Sequence, residues 1–223
     1  MQGKITALKA GKRNKRRVNV YLDGAFAFSL AGIEAIRLKI GQELSEADVA
    51  RLEAADTVEQ TYERALQFLS YRPRTEAEIR RHLGGRETDP AALDEVLARL
   101  RRAGLVDDRA FGRLWVENRA QFRPKSRRML RAELLRKGLT ADQAESALAE
   151  SHTGDAEAAY QAASDRARRL QGLPRDEFGR KLQGFLARRG FNYETIKETV
   201  ERVWLEATTE PGQAEGGPGE SEE

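Results

Sequence analysis

Apolar residues recur at helical spacing over most of the chain. Two runs follow the i, i+3, i+4, i+7 pattern: Tyr62, Ala65, Leu66 and Leu69, and then Leu93, Val96, Leu97 and Leu100. Such spacing places the apolar side chains on one face of a helix, where they pack against a core. A last helix with a buried face is predicted around Ile196, Val200, Val203 and Trp204. From residue 57 onward the pattern is therefore helical throughout.

Capping residues and glycines mark where these helices begin and end. Two pairs have the spacing of a capping box: Thr75 with Glu78, and Thr140 with Gln143. Asp89 supplies an N-cap before Pro90 at the first helical position. Helix ends are predicted at Gly84-Gly85, Gly104, Gly138 and Gly190. The first group of helices is therefore expected at about residues 57–71, 75–84 and 90–103.

Before residue 57 the pattern changes to short strand-like segments. Strands are predicted at residues 5–8, 17–22 and 25–30, with a hairpin turn at Asp23-Gly24. A helix is predicted from Ser45 to about Ala55, because Asp48 stands three residues after Ser45. We therefore expect a small N-terminal β-hairpin element and a helix that bridges to the helical region.

One motif in the helical region is repeated. Tyr71-Arg72-Pro73-Arg74-Thr75 recurs 51 positions later as Phe122-Arg123-Pro124-Lys125-Ser126, and a weaker copy begins at Pro174, with Asp176 in the place of the hydroxyl residue. Such a period indicates stacked helical units. The predicted fold is mainly α, with tandem three-helix (helix-turn-helix-like) repeats in an elongated curved array. The predicted domains are the N-terminal element at 1–56, repeats at 57–106, 107–153 and 154–206, the third degenerate, and a tail at 207–223.

Composition limits the classes of protein and site. The chain has no cysteine, which excludes disulfides, thiolate nucleophiles and zinc–thiolate sites. The longest nearly apolar stretch, residues 25–33, is far shorter than the ~20 residues that span a bilayer, and no signal-peptide pattern opens the chain. A cytoplasmic protein without a membrane segment is expected.

The C-terminal tail is acidic, whereas the rest of the chain is basic. It carries five Glu and no Lys or Arg, so a net charge of +3 for the whole chain leaves about +8 on the remainder. Its richness in Gly and Glu predicts disorder. Its role is either solubility or competition with an acidic partner for the basic body.

Basic residues are concentrated in the second repeat. Residues 119–137 contain a single acid, Glu133. The planar guanidinium of arginine can form paired hydrogen bonds with carboxylates and with phosphates equally well. The run therefore predicts an anionic partner, either nucleic acid or protein. The candidate contact residues in the repeats are Arg72, Arg74, Arg80, Arg119, Arg123, Lys125, Arg127, Arg128, Arg131 and Lys137.

A second basic cluster lies between the first two predicted strands. Its candidate contact residues are Lys12, Arg13, Lys15 and Arg16. The cluster either contacts phosphate or an acidic protein face, or is simply a solvated loop. The aromatic residues of the repeated motif, Tyr71 and Phe122, also leave two alternatives: stacking on unpaired bases beside the arginines, or packing on a neighbouring helix.

Signals for catalysis are poor. The two histidines, His82 and His152, belong to no metal-binding spacing. Asp107-Asp108 stands just before a helical stripe, which favours an N-cap over a metal pair. Glycines stand at helix ends and not in a phosphate-binding loop, so no nucleotide cofactor is predicted. We expect a binding protein without catalytic, metal or cofactor sites.

Three stretches of the chain carry a family resemblance. They are Ala65-Leu66-x-Phe68-Leu69-Ser70-x-Arg72-x-Arg74-Thr75-x-x-Glu78-Ile79, Leu100-x-x-x-Gly104-Leu105-Val106-Asp107-Asp108-x-x-Phe111, and Pro124-Lys125-Ser126 through Glu133-Leu134-x-x-Lys137-Gly138-Leu139. Together they closely resemble the RecX family. The resemblance is specific from about Tyr62 to Leu148, weaker in the third repeat and absent from the tail. The basic hairpin looks like an added or variable part.

The resemblance implies a function. Members of that family regulate the RecA recombinase, mostly by binding its filament on single-stranded DNA and inhibiting its ATPase, strand-exchange and co-protease activities. It thus implies a bacterial modulator of homologous recombination, DNA repair and the SOS response. A monomer is expected by default. The alternative is a protein that binds single- or double-stranded DNA directly, since three-helix units with a basic second helix suit groove or backbone contacts.

Overall fold

The computed structural model describes residues 1–12, 14–85, 88–151 and 153–209. The chain divides into two compact units between Phe111 and Gly112. The predicted tail lies outside the described residues from Glu210 onward, as do Arg13 and His152. Within the described residues the protein is mainly helical, with a small N-terminal sheet, which confirms the predicted fold class.

The N-terminal element is a four-stranded antiparallel sheet. Its strands are β1 (Gly3–Ala10), β2 (Arg17–Leu22), β3 (Ala25–Ala31) and β4 (Glu43–Leu44), in the order β3-β2-β1-β4. The three predicted strands and the hairpin are confirmed. Asp23 and Gly24 both have positive φ, at 48° and 88°, as a two-residue hairpin with right-handed strand twist requires. The sequence pattern missed β4 and the short helix α1 (Gly32–Ala35).

A single long helix, α2 (Glu46–Leu69), follows the sheet. The prediction of separate helices before and after residue 56 was wrong, because neither glycine nor proline occurs in these 24 residues to interrupt the helix. The capping box of Ser45 and Asp48 at its start is confirmed. Val49, near that start, packs into the core of the sheet, while Ala65, near the other end, packs into the first repeat.

A buried carboxylate joins α2 to the sheet. Asp56 accepts hydrogen bonds from the backbone N–H of Ala31 at 2.6 Å, from Arg17 Nη2 at 2.8 Å and from Gln60 Nε2 at 2.6 Å. The Asp56 side chain is only 7% exposed. Because a buried carboxylate is tolerated only when it is paired and hydrogen-bonded, this residue fixes where β3 meets the helix.

The first repeat consists of the second half of α2 with α3 (Glu76–Leu83) and α4 (Pro90–Arg102). The predicted capping box of Thr75 and Glu78 is present, and Asp89 caps α4 ahead of Pro90. Apolar residues from the three helices form one core, which includes Ala65, Ile79, Leu83, Leu93, Val96, Leu97 and Leu100.

The second and third repeats have three helices each. They are α5 (Asp108–Phe122), α6 (Arg127–Lys137) and α7 (Ala141–Ala149), and then α8 (Asp155–Ala167), α9 (Arg175–Arg188) and α10 (Tyr193–Thr209). Thr140 caps α7 as predicted, and Ser126 caps α6. In the third repeat α9 begins directly after Pro174 with no side-chain cap, so Asp176 lies inside the helix and does not replace the hydroxyl. The predicted apolar face of α10 is buried.

Each of the first two repeats receives a carboxylate from the helix that follows it. Asp108, at the start of α5, accepts from the Glu76 N–H at the start of α3 at 2.9 Å. Asp155, at the start of α8, accepts from the Arg127 N–H at the start of α6 at 2.8 Å. Such carboxylates satisfy N–H groups that a helix cannot pair internally. Asp107 is the predicted N-cap, with Oδ1 accepting from Arg109 and Ala110, whereas Asp108 has a different role that the sequence did not reveal.

Asp108 gives a test of this arrangement. Burial, together with the charges of Glu76 and Asp107, raises the pKa of the Asp108 carboxyl despite the hydrogen bond from Glu76 and the charge of Arg101. A raised folded-state pKa means that charge on Asp108 opposes folding above that pKa, and that this cost disappears as the pH falls through it. We expect Asp108→Asn, which keeps the acceptor oxygen, to unfold at the same or higher urea concentration. Asp108→Ala should lose about 1 kcal/mol.

Urea denaturation followed by circular dichroism at pH 7 and pH 5 measures both variants. The stability advantage of Asp108→Asn over the parent should shrink at the lower pH. Equal destabilisation by Asn and Ala would show that the hydrogen bond to Glu76 is not what Asp108 contributes.

Candidate functional site

The predicted contact arginines of the first repeat are engaged inside that repeat. Arg72 donates to both carboxylate oxygens of Glu78, at 3.0 and 3.2 Å. Glu78 is also the capping-box acid of α3, so its carboxylate serves the helix start and Arg72 together. Arg80 donates to Asp94 at 2.6 Å and to Glu76 at 3.2 Å. The charges of Arg72 and Arg80 are therefore partly offset before any partner binds.

Arg74 lies on an aromatic stack. Its guanidinium is 4.0 Å from the centre of the Phe68 ring, and the His82 ring stacks on Phe68 at 3.8 Å with an interplanar angle of 13°. Arg74 is half-buried, and its Nε has no hydrogen-bond partner. A cation on a ring is favourable without a carboxylate, and Arg74 takes this position next to the corner that begins α3.

Glu133 gathers part of the basic run in the second repeat. Its buried carboxylate accepts from Trp115 Nε1 and Arg119 Nε, each at 2.9 Å, and from Lys125 Nζ. Arg119 and Lys137 also lie over the Trp115 ring, at 4.4 and 4.9 Å. Burial alone would raise the pKa of the Glu133 carboxyl, but the hydrogen bonds from Lys125, Arg119 and Trp115 outweigh burial and hold that pKa below its usual range. The single acid of the run is the centre of an internal cluster.

Two other predicted contact residues of this repeat have internal partners. Arg127 is half-buried and donates Nη1 to the Leu148 carbonyl at 2.9 Å. Arg131 pairs with Glu145 on α7, in an ion pair whose two side chains are 44% and 57% exposed. An exposed pair of this kind adds little stability, so Arg131 can exchange Glu145 for another anion.

Arg123 and Arg128 differ from the rest of the predicted set. Both side chains are exposed, and neither forms an ion pair with any residue that the structure describes. Arg123 occupies the position equivalent to Arg72, but Met129 stands where Glu78 stands in the first repeat. The repeated motif therefore has a neutralised arginine in one copy and an available arginine in the other.

The N-terminal basic loop is also exposed. Lys12, Lys15 and Arg16 are exposed between β1 and β2, while Arg13 lies outside the described residues. The next residue, Arg17, turns inward to Asp56. The loop backbone is held by bonds from Gly32 N–H to the Arg16 carbonyl and from Arg16 N–H to Asn14 Oδ1. These three cations are exposed to solvent, and their contact with an anionic partner stays a prediction.

Residues 122–126, called here the α5–α6 corner, are held by the third repeat. The Ser126 N–H donates to the Arg189 carbonyl at 3.1 Å, and Arg189 Nη1 donates to the Pro124 carbonyl at 2.8 Å. Gly190, predicted only as a helix end, has φ of +87°, and a Cβ there would lie 2.6 Å from Ser126 Oγ. Glycine is needed for both reasons. Sequence reasoning missed Arg189, since no local pattern indicates a partner 65 residues away.

The two aromatic residues of the repeated motif are exposed to solvent. Tyr71 is 77% and Phe122 66% exposed. Neither makes a ring–ring or cation–ring contact among the described residues. The alternative in which they pack on a neighbouring helix was therefore wrong. The other alternative, stacking on unpaired bases, stays a prediction.

Among the described residues no three His, Cys, Asp or Glu side chains gather in a way that would bind a metal ion. No helix in the same residues is both long and apolar enough to cross a bilayer.

Comparison with known proteins gives consistent matches along the chain. Residues 3–45 match the family model for the regulatory protein RecX N-terminal domain. Residues 62–100, 107–148 and 154–200 match those for the first, second and third three-helix domains of RecX. The basic hairpin is therefore not an added part, because it lies within the residues that match a RecX family model, while its variability stays a prediction.

Similar whole proteins and structures support these matches. Regulatory protein RecX of Bacillus subtilis (strain 168) is 30% identical over 205 residues, which cover 91% of this chain and 78% of the relative. That of Limosilactobacillus reuteri (strain DSM 20016) is 33% identical over 203 residues, 88% and 76% of the two chains. A crystal structure of regulatory protein RecX superposes with a TM-score of 0.70 at 31% identity, covering 91% of this chain and all of that one. A crystal structure of RecX from Lactobacillus salivarius superposes with a TM-score of 0.56 at 25% identity, covering 68% of this chain and 99% of that one.

Proposed function

The chain belongs to the RecX family of regulatory proteins, and we propose that it binds the filament of RecA recombinase on single-stranded DNA and inhibits it. Inhibition covers the ATPase, strand-exchange and co-protease activities, and through them DNA repair and the SOS response. The protein acts by binding, as a cytoplasmic monomer, and has no catalytic role.

One observation carries the proposal beyond family membership. The second repeat presents Arg123 and Arg128 as exposed cations without an ion pair among the described residues, while its remaining predicted contacts are at least partly engaged internally. Exposed arginines among other basic residues speed the association of an acidic partner. They also bind its carboxylates or phosphates with directional hydrogen bonds. A nucleoprotein filament offers both kinds of anion. We therefore place the main contact at Arg123 and Arg128, supported by Arg131 and by the loop cations Lys12, Lys15 and Arg16.

The experiment is a titration into RecA that hydrolyses ATP on single-stranded DNA. The native chain should suppress hydrolysis at amounts well below one molecule per RecA. The double variant Arg123→Glu/Arg128→Glu should need about tenfold more protein for half-inhibition, a loss of roughly 1.4 kcal/mol of binding free energy. Arg127 is left unchanged, because its bonds to Leu148 and Asp155 would confuse a loss of binding with a loss of folding.

The matched control makes the same charge change elsewhere. Arg64 and Arg102 are exposed in the first repeat and form no ion pair in the part of the chain that the structure describes. The variant Arg64→Glu/Arg102→Glu should inhibit like the parent. Equal loss in both double variants would indicate an effect of net charge, and full inhibition by Arg123→Glu/Arg128→Glu would remove these arginines from the interface.

Direct DNA binding is the second candidate function. It is favoured by the same unpaired arginines and by the exposed ring of Phe122 beside them. A protein that binds only phosphates loses affinity steeply with salt, whereas a contact shared with protein keeps a component that is less sensitive to salt. Tight, salt-sensitive binding to bare DNA, with no effect on RecA, would establish this alternative.

A further inference from the structure

The α5–α6 corner brings an aromatic ring and two arginines to one place. Phe122 ends α5 and Arg123 follows it directly, so the ring and the first cation are adjacent in the chain. Arg189 reaches the same corner from the end of α9, with Nη1 on the Pro124 carbonyl and its own carbonyl on the Ser126 N–H. Pro124 and Ser126 are buried. The backbone that carries Phe122 and Arg123 is thereby fixed.

The positive charge at this corner is not balanced. Burial and the nearby charge of Arg123 lower the pKa of the Arg189 guanidinium, and Asp165 offsets only part of that effect. Arg189 lies 4.4 Å from the Phe185 ring, and Arg166 lies over the same ring at 5.8 Å. The Nε of Arg166 is buried without a hydrogen-bond partner. Like charges held together at a fixed corner repel each other, and a bound anion would relieve that repulsion.

The first repeat shows what the second repeat lacks. Arg72, the equivalent of Arg123, donates twice to Glu78. In the second repeat Met129 stands in the place of Glu78, so no carboxylate of α6 meets Arg123. An aromatic residue precedes the arginine in both repeats and is exposed in both. The two corners share the exposed ring, but among the described residues the arginine that directly follows it is paired with a carboxylate in the first repeat and not in the second.

We propose that the α5–α6 corner is a binding site for one nucleotide of a single strand, in which Phe122 stacks on an unpaired base and Arg123 and Arg189 hold the adjoining phosphate. Stacking needs the face of a base, which a duplex covers with its neighbours and a single strand exposes. The exposed ring therefore selects single strands over duplexes. The site itself requires only a single strand. It rests on the proposed function for the further point that this strand lies in a RecA filament.

The test uses the full-length protein without RecA. A fluorescent oligothymidylate is titrated, and binding is followed by anisotropy at several salt concentrations. Phe122→Ala should weaken binding about tenfold with the salt dependence unchanged, because it removes stacking and no charge. Arg123→Ala should weaken binding and reduce the slope of log affinity against log salt by about one, because it removes one phosphate contact. Phe122→Trp should bind like the parent.

Two controls define the outcome. Phe26, in β3 of the N-terminal sheet, is 58% exposed, so Phe26→Ala removes a phenylalanine ring of similar exposure outside the second unit and should bind like the parent. A duplex of the same length should bind more weakly and should not respond to Phe122→Ala. Parental affinity in Phe122→Ala, an equal loss in Phe26→Ala, or an equal loss on duplex DNA would each overturn the site.

Failure of the site is distinguishable from failure of the proposed function. RecA ATPase inhibition is measured in parallel with the same variants. Inhibition by the parent together with parental DNA binding by Phe122→Ala would remove the nucleotide site and leave the RecA function standing. Loss of oligothymidylate binding in Phe122→Ala and Arg123→Ala would support the site, whether or not the parent inhibits RecA.

Discussion

Replacing Glu133 by alanine is expected to lower the free energy of unfolding of the second unit by about 3 kcal/mol. The Glu133 carboxylate is buried and accepts from Trp115, Arg119 and Lys125. Its removal leaves an indole N–H and two partly buried cations without their shared acceptor. Breaking a buried ion pair by deleting one partner costs far more than the pair itself contributes, because the remaining charge stays poorly solvated.

Tryptophan fluorescence during urea denaturation measures this change. Both tryptophans, Trp115 and Trp204, lie in the second unit, so the signal reports on that unit. The control is Glu145→Ala, which removes the exposed partner of Arg131 in the same repeat and should cost no more than about 0.5 kcal/mol. Similar urea midpoints for Glu133→Ala and Glu145→Ala would show that the Glu133 cluster does not stabilise the packing of α5 and α6.

The same carboxylate predicts a dependence on pH. Because the pKa of Glu133 is lowered in the folded protein, its contribution is fully present above the unfolded-state pKa of about 4.3 and is lost as the pH falls through the folded-state pKa. The difference in stability between the parent and Glu133→Gln should therefore be constant near neutral pH and shrink below about pH 4.3. A difference that grows in acid would reverse the sign assigned to this group.

Asp56→Ala is expected to have the second large effect, about 2–3 kcal/mol on the stability of the N-terminal sheet. The carboxylate is the common acceptor for Arg17 on β2 and for the Ala31 N–H at the end of β3. Without it, a buried amide and a largely buried guanidinium lose their partner where the sheet meets α2. The strands should then open more often than the helices of the first repeat.

Amide hydrogen exchange resolves this effect by position. Exchange of the Ala31 amide and its neighbours in β2 and β3 should accelerate in Asp56→Ala by roughly 30- to 150-fold if opening follows the loss of stability. Glu53→Ala, an exposed change less than one turn earlier in α2, is the control and should leave these amides unchanged. Uniform acceleration over the whole unit would mean that Asp56 supports global folding and not the docking of the sheet.

Much of the fold was predictable from local pattern. The capping boxes at Ser45, Thr75 and Thr140 all formed, because a cap needs only its own helix start. The hairpin at Asp23-Gly24 formed because both residues tolerate positive φ. The break expected near residue 56 did not occur. The packing partner of α2 changes there from the sheet to the core of the first repeat, but the helix continues because no glycine or proline interrupts it.

For the candidate site, the sequence predicted only which basic residues are concentrated in the second repeat. The sequence identified the basic run of the second repeat and its motif, but it could not tell Arg123 and Arg128, which are available, from Arg119, Lys125 and Arg127, which have internal partners. It also gave no signal for Arg189. A residue's type fixes its charge, whereas availability depends on what lies beside it in space.

The sequence by itself therefore determined the helices, the hairpin, the repeat and the excess of positive charge, because each arises from residue type and from neighbours a few positions away. The tertiary structure alone decided how those charges are used. Asp56, Asp108, Glu133 and Arg189 meet partners 14 to 65 residues away. Such contacts are selected by packing and by the cost of leaving a buried polar group unpaired, which no local spacing records.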